Sequence, residues 1–192
     1  MDTRESPELT EFRMTIRAWL EKHAPSKLSS DPYDYRGLDG ALFSHEWFKL
    51  LGREGFLAYN WPKEYGGPGY SKAQQLVFED EFRRMHVPLP YSFGLSLLAP
   101  PLMQFGTDAQ KRRFLPPIGR HEEIWCQGYS EPNAGSDLAS LQTRAVLDDA
   151  GRNFIVNGQK IWTSAANMAQ WIFLLVRTDQ NAPKQKGISF LL

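Results

Sequence analysis

The 192 residues hold one cysteine, Cys126. No disulfide can form within the chain, and such sparing use fits a reducing compartment. Long apolar runs are missing as well. The longest, such as Trp171 to Val176, falls far short of the about 20 residues that a membrane-crossing helix needs. The start, Met1-Asp2-Thr3-Arg4-Glu5, has no apolar core and does not read as a secretory signal. A cytoplasmic protein without a membrane span is the expectation. Nor is there an excess of either charge, since 22 Lys and Arg balance 22 Asp and Glu. That balance gives no electrostatic basis for a nucleic-acid partner. The four histidines, His23, His45, His86 and His121, form no i, i+4 pair. With one cysteine and no His-Glu-x-x-His motif, no metal site is expected. Gly66-Gly67-Pro68-Gly69 lacks the Lys-Ser/Thr that completes a phosphate loop and reads as a turn. Ser130 sits in no nucleophile elbow.

What the chain does have is apolar and aromatic content, 42% and 13%, enough for a globular fold and against disorder. The first two-thirds read as helices. Ser6-Pro7 is a cap followed by proline at the first helical position. Leu9, Phe12, Ile16, Trp19 and Leu20 then recur at helical spacing. A second helix carries Phe43, Trp47, Leu50 and Leu51 on one face, with Gly52 as its predicted C-cap. Residues 60–69 form a compact Gly/Pro loop. Ser71 with Gln74, and Thr107 with Gln110, are capping boxes that open two more helices. The second of these is expected to stop at Pro116-Pro117. Between them, Tyr91 to Phe105 reads as a buried helix interrupted by Pro100-Pro101.

After Gly119 the pattern turns to short β-prone runs: Glu123 to Ser130, Leu141 to Leu147, Phe154 to Val156, Gln159 to Thr163, Gln170 to Arg177 and Gly187 to Leu192. Asn157-Gly158 predicts a hairpin turn. The chain therefore divides into a helical domain, 1–120, and a β domain, 121–192. It stops inside an apolar run, Gly187-Ile188-Ser189-Phe190-Leu191-Leu192, with no turn or partner strand after it. An unpaired apolar edge invites aggregation, so truncation is expected here.

Two segments stand out chemically. Gln127 to Ser140 packs Gly128, Pro132, Ala134, Gly135 and the hydroxyls of Ser130 and Ser136 into one connection. Small residues let a backbone approach a flat or phosphorylated ligand, although composition alone favours an ordinary polar connection. Asn157 to Ser164 sets Trp162 beside Thr163 and Ser164. That pairing of a flat apolar wall with hydrogen-bonding groups suits a flavin, and equally suits a Trp in a hairpin core.

Taken together, the segments resemble the acyl-CoA dehydrogenase family. Ser130 to Asp137 matches Ser/Thr-Glu-Pro-x-Ala-Gly-Ser-Asp, and Asn157 to Trp162 matches Asn-Gly-x-Lys-x-Trp at the expected separation. Trp61 to Gly67, Phe105-Gly106-Thr107 and Lys111 to Pro116 support the match, which runs from about residue 8 onward. The wording from Trp125 to Ser130 is most similar to bacterial members resembling pimeloyl-CoA dehydrogenase large subunits. The resemblance implies an α+β multi-domain fold: an all-α N-terminal domain, then an incomplete antiparallel β-barrel or sandwich, with the family's C-terminal helical bundle absent. It implies FAD as cofactor, bound by Gln127, Gly128, Tyr129, Ser130, Gly135, Ser136, Trp162, Thr163 and Ser164. Ser130 belongs near the pyrimidine end, Gly135 and Ser136 towards the pyrophosphate, and Trp162 against the isoalloxazine. Ser164 aligns with the hydroxyl that bonds flavin N5, and Ser136 also reaches the acyl-CoA substrate. Tyr129 replaces a usual small aliphatic residue, and Asn133 a common glycine.

By the same resemblance the reaction is α,β-desaturation of an acyl-CoA thioester, part of fatty acid metabolism, with electron-transfer flavoprotein as acceptor. Its glutamate base lies in the bundle, so no catalytic base is expected in this chain, and the chain alone is expected to be inactive. Glu131 is expected to be structural. A homo- or hetero-oligomer is implied. Two alternatives stay open: a non-catalytic partner subunit of a heteromeric dehydrogenase, and a flavin oxidase or monooxygenase on the same fold.

Overall fold

The computed structural model describes residues 5–24, 38–87 and 89–192, with backbone only for 38–44. The Phe43 side chain named above lies outside these. The chain forms two compact units: residues 1–91 with 99–122, and residues 92–98 with 123–192.

The first unit holds α1 (Pro7–His23), α2 (Leu38–Arg53), α3 (Lys72–Arg84), α4 (Ala99–Phe105) and α5 (Asp108–Gly119). Local chemistry accounts for their starts. The Ser6 side chain accepts the Leu9 amide, and both capping boxes close reciprocally. Ile16, Leu20, Phe78 and Phe82 are buried. Phe78 stacks on Tyr59 at 4.6 Å and meets Phe82 at 4.3 Å, while Trp19 meets Phe56 edge-on at 4.9 Å. Such rings bury large areas and dominate a core of this size. One charge lies among them. Glu81 is 0% exposed and takes Arg13 at 2.7 Å and Arg17 at 2.8 Å from α1, and Arg84 at 3.2 Å from α3 itself. Arg17's bond comes first in holding the Glu81 acid at about 2, against burial, which pushes it up.

Three expectations are corrected here. Gly52 lies inside α2, and a Cβ on it would stand 2.5 Å from the Arg120 carbonyl oxygen. It permits close packing, while Gly55, at φ 75, takes the left-handed position after the helix. Helix α5 runs through Pro116 and Pro117 to Gly119. The i−4 carbonyls that lose their donors belong to exposed Arg112 and Arg113, where water can satisfy them. Pro100 and Pro101 do not interrupt the helix: residues 93–105 are helical throughout, with a π segment at Gly94–Leu98 running directly into α4. At the end of α5, buried His121 takes a left-handed φ of 55 and packs on His45 at 4.9 Å and Phe48 at 5.4 Å.

The second unit is an open five-stranded mixed sheet: β1 (Trp125–Gly128), β2 (Arg144–Leu147), β3 (Phe154–Asn157), β4 (Trp171–Arg177) and β5 (Ile188–Leu191). The helical-then-β class holds, but the pairing is not purely antiparallel. β1 runs parallel to β4, from Trp125 opposite Trp171 to Gly128 opposite Leu174. β2 meets β4 in parallel at Arg144 and Arg177. β2–β3 and β4–β5 are antiparallel. The apolar run at 187–192 therefore has a partner in β4. Trp125, Cys126, Leu141, Phe173 and Val176 are buried at the centre, and Trp125 stacks on Trp171 at 5.3 Å.

The predicted hairpin at Asn157-Gly158 is not there. The turn joins β2 to β3 at Asp148–Gly151, where Gly151 has φ 64 and the Asp148 amide donates to the Asn153 carbonyl at 2.8 Å. Gly158 is needed for contact rather than for turning, because a Cβ there would lie 2.3 Å from Thr143 Oγ1. Consequently Gln159 to Thr163 is not a strand. The β2–β3 ribbon leaves apolar residues exposed on both faces: Val146 and Ile155 on one, Leu147, Phe154 and Val156 on the other.

Candidate functional site

The site segments hang from the ends of β1 and β3. β1 delivers Gln127, partly exposed, and Gly128, buried, in register with Phe173 and Leu174. Tyr129 follows with its ring edge-on to Phe173 at 5.8 Å; burial pushes its phenol up, and a bond with Gln127 opposes this. The chain then makes its excursion. Glu131 and Ala134 exchange backbone bonds of 2.8 and 3.1 Å, which folds Pro132 and Asn133 into a tight turn. Gly135 and Ser136 stand exposed on the crest, and a Cβ at Gly135 would meet nothing within 4 Å. A 3-10 turn at Leu138–Ser140 leads back to β2.

Glu131 closes this loop. Its carboxylate accepts the amides of Gln142 at 2.6 Å and Thr143 at 2.9 Å, and the Lys160 ammonium at 2.9 Å. Burial works against the charge, but contacts from Thr143, Lys160 and the Gln142 amide outweigh it and hold the acid at about 2. A carboxylate so occupied is a poor proton acceptor, as expected for a structural residue.

Lys160 carries the second segment to the first. Besides Glu131 it donates to the carbonyls of Tyr129 at 3.0 Å and Leu175 at 2.8 Å, and the next amide, Ile161, donates to the Ser130 carbonyl at 2.9 Å. The bonds between the segments thus run through Tyr129, Ser130 and Glu131. Beyond them Trp162 is 87% exposed with φ 56, and Ala165 has φ 63. A large aromatic in water on left-handed backbone is costly twice over, and such strain clusters at ligand sites. The turn is pinned from behind. Ser164 bonds back to the Trp162 carbonyl at 3.1 Å, the amides of Met168 and Ala169 both reach Ala165 at 3.0 Å, and Gln170 bridges the Ile124 amide and the Met168 carbonyl. Thr163 is half-buried and Ser164 exposed.

Arg177 and Lys184 are residues that sequence reasoning passed over. Arg177 donates to the carbonyls of Ala139 at 2.7 Å, Leu141 at 3.2 Å and Lys184 at 3.1 Å. Lys184 reaches Ser140 Oγ at 2.8 Å and lies 3.9 Å from Asp137. With Gln142 and Gln180 they line an open hollow of about 280 Å³. Their one advance signal was a pair of cations bracketing a Pro/Asn-rich connection. Among the described residues no group of three His, Cys, Asp or Glu is arranged to hold a metal, and no helix is long and apolar enough to cross a membrane.

A helical unit followed by an open mixed sheet, with these two motif segments joined at the strand ends, defines the class. The acyl-CoA dehydrogenase N-terminal domain matches residues 6–122, and the acyl-CoA dehydrogenase middle domain matches residues 126–192. The chain belongs to the acyl-CoA dehydrogenase family. It is 42% identical over 193 aligned residues to acyl-CoA dehydrogenase IpdE1 of Mycobacterium tuberculosis, covering 96% of this chain and 49% of that protein. It is 48% identical to acyl-CoA dehydrogenase FadE26 of the same organism, covering 97% of this chain and 47% of that one. Among solved structures, the Tcur3481-Tcur3483 steroid ACAD superposes with a TM-score of 0.77 at 42% identity, over all of this chain and 48% of that one. The ChsE4-ChsE5 complex from Mycobacterium tuberculosis gives 0.76 at 40%, over all of this chain and 47% of that one. The chain spans about half the length of the relatives it matches.

Proposed function

We propose that this chain is the flavin-facing portion of an FAD-dependent acyl-CoA dehydrogenase that introduces an α,β double bond into an acyl-CoA thioester. The observation that carries the reading is the join between the two motif segments, with Trp162 held out on strained backbone beside half-buried Thr163 and exposed Ser164. The residues fit the cofactor. Trp162 offers a flat apolar face, Gly135 leaves room for close backbone approach, and Ser130, Ser136 and Ser164 offer hydroxyls. FAD, when bound, supplies the oxidising power for the desaturation.

The chain's own residues do the holding. Trp162 walls the isoalloxazine, with Thr163 and Ser164 beside it, while Gln127, Gly128, Tyr129 and Ser130 line the neighbouring edge. Gly135 and Ser136 serve the pyrophosphate, and Ser136 the acyl-CoA as well. Arg177 shapes the hollow through its bonds to backbone carbonyls, and the exposed Lys184 ammonium at its edge suits the anionic end of that substrate. Glu131 is committed to the loop, so the base comes from the region that the longer relatives have beyond the shared span, and this chain alone is inactive. Electron-transfer flavoprotein is the proposed acceptor and the cytoplasm the proposed location.

The test is a visible spectrum of the chain with added FAD, followed by anaerobic acyl-CoA, for the natural sequence and for Trp162→Ala. A flavin band that the natural chain retains and Trp162→Ala loses supports the reading. Equal uptake by both, or none by either, counts against it, and bleaching by acyl-CoA would refute inactivity.

A second reading is a partner subunit in an unequal pair. The two-part names of the Tcur3481-Tcur3483 and ChsE4-ChsE5 structures favour it. It predicts a stoichiometric second chain on co-purification from the source cells, and a chain that purifies alone would end it.

A further inference from the structure

We propose that Lys160 and Glu131 are a positioning pair, a buried clasp that sets the two flavin-facing segments in register. The inference rests on the flavin reading above and adds which residues make the site's shape.

The geometry is specific. An ammonium has three protons, and Lys160 gives them to three acceptors on two stretches of chain: Tyr129 and Glu131 at the root of the loop, and Leu175 on β4. Glu131 in turn gathers the amides of Gln142 and Thr143 from the loop's far limb. One carboxylate thus closes the excursion from 131 to 143, and one ammonium ties that closure to the sheet. Both side chains are under a tenth exposed, so neither charge is offered to a ligand. Lys160 precedes Trp162 by two residues and Glu131 follows Ser130 directly, so any movement of the clasp moves both flavin-facing walls.

Stability alone is a weak reason for such a pair, since apolar residues of similar volume often stabilise as well or better. What apolar residues cannot supply is direction. A methionine at 160 fills the space but organises neither the Tyr129 nor the Leu175 carbonyl, and leaves Glu131 free to release the loop.

The experiment uses the natural chain, Lys160→Met, Glu131→Gln and the double variant. Thermal melting, FAD affinity from the visible spectrum, and amide exchange over 129–143 and 158–164 are read for each. Either single change is expected to weaken FAD binding by about tenfold or more and to speed exchange in those two segments, leaving α1 and α3 unchanged. The double variant is expected to regain melting temperature without regaining affinity or protection. Affinity that returns together with melting temperature would overturn the proposal, as would natural exchange rates in Lys160→Met. Failure of the natural chain to take up FAD would sink the flavin reading instead, and the exchange measurement would still decide the clasp.

Discussion

Two buried carboxylates, one in each unit, hold their acids at about 2 by different means. Glu81 is surrounded by three arginines, two of them from a neighbouring helix. Glu131 has one lysine and two backbone amides. The first arrangement joins two helices already formed by their own caps and apolar faces. The second creates local structure, because residues 131–143 have no regular ladder and take their path from the carboxylate. The same charge chemistry therefore braces a core in one unit and shapes a candidate site in the other.

The largest test of that contrast is Glu81→Gln. Arg17 would lose its carboxylate, while Arg13 keeps Glu5 and Asp80 and Arg84 keeps Glu21, so the expected cost is that of charged hydrogen bonds, about 1.5–3 kcal/mol. Chemical denaturation should show that loss in the helical unit, and a change below about 1 kcal/mol would mean that solvent replaces the carboxylate. Gly158→Ala comes next, at about 1–3 kcal/mol, because the new methyl group overlaps Thr143; native-like denaturation would show that the segment can move aside. Ala165→Gly should stabilise. Relief of left-handed strain exceeds the entropy that glycine adds to the unfolded chain, for a net gain below about 1 kcal/mol, readable as a small rise in melting temperature. Gly135→Ala is expected to stay within about 0.5 kcal/mol, since its surroundings are open. Weaker FAD uptake at unchanged stability would separate ligand space from packing space.

Acid distinguishes the units in a further way. Burial first, then His45 and Lys49, depress the His121 imidazole to about 4 from its ordinary 6.5. A depressed histidine binds its proton more readily in the unfolded chain. Its contribution is therefore present above pH 6.5 and lost as pH falls from there towards 4. Glu131 and Glu81, depressed from 4.5 to about 2, lose their contributions only between those values. Amide exchange at pH 7, 5 and 3 should show the contact of α2 with the end of α5 loosening first, and His121→Phe should abolish that early step.

Much of this was legible where the signal is local. Both capping boxes, the first helix and its cap, and five of the six β-prone runs lie close to their expected places because neighbouring residues decide them. The two family motifs were legible for the same reason, as contiguous strings. The hairpin was misplaced because Asn157-Gly158 looks like a turn to any local rule, whereas Gly158 is required by a contact with Thr143, fifteen positions earlier in the chain. The parallel pairing of β1 with β4 and the reach of Lys160 depend on partners brought together only in three dimensions. Periodicity cannot report them, and neither can a motif that records Lys160 merely as a letter between glycine and tryptophan.

The parallel β1–β4 pairing also orders events in time. Both motif segments lie within the single crossover between those strands, a stretch of roughly forty residues whose closure entropy must be met before its contacts can form. During synthesis, the earlier helices can dock while this crossover still lacks its closing strand. The Ile161 amide meets the Ser130 carbonyl within that crossover, but Lys160 can reach the Leu175 carbonyl only once β4 has been made. The turn that carries the exposed tryptophan is thus fixed late, after the strand that anchors Lys160 has been made.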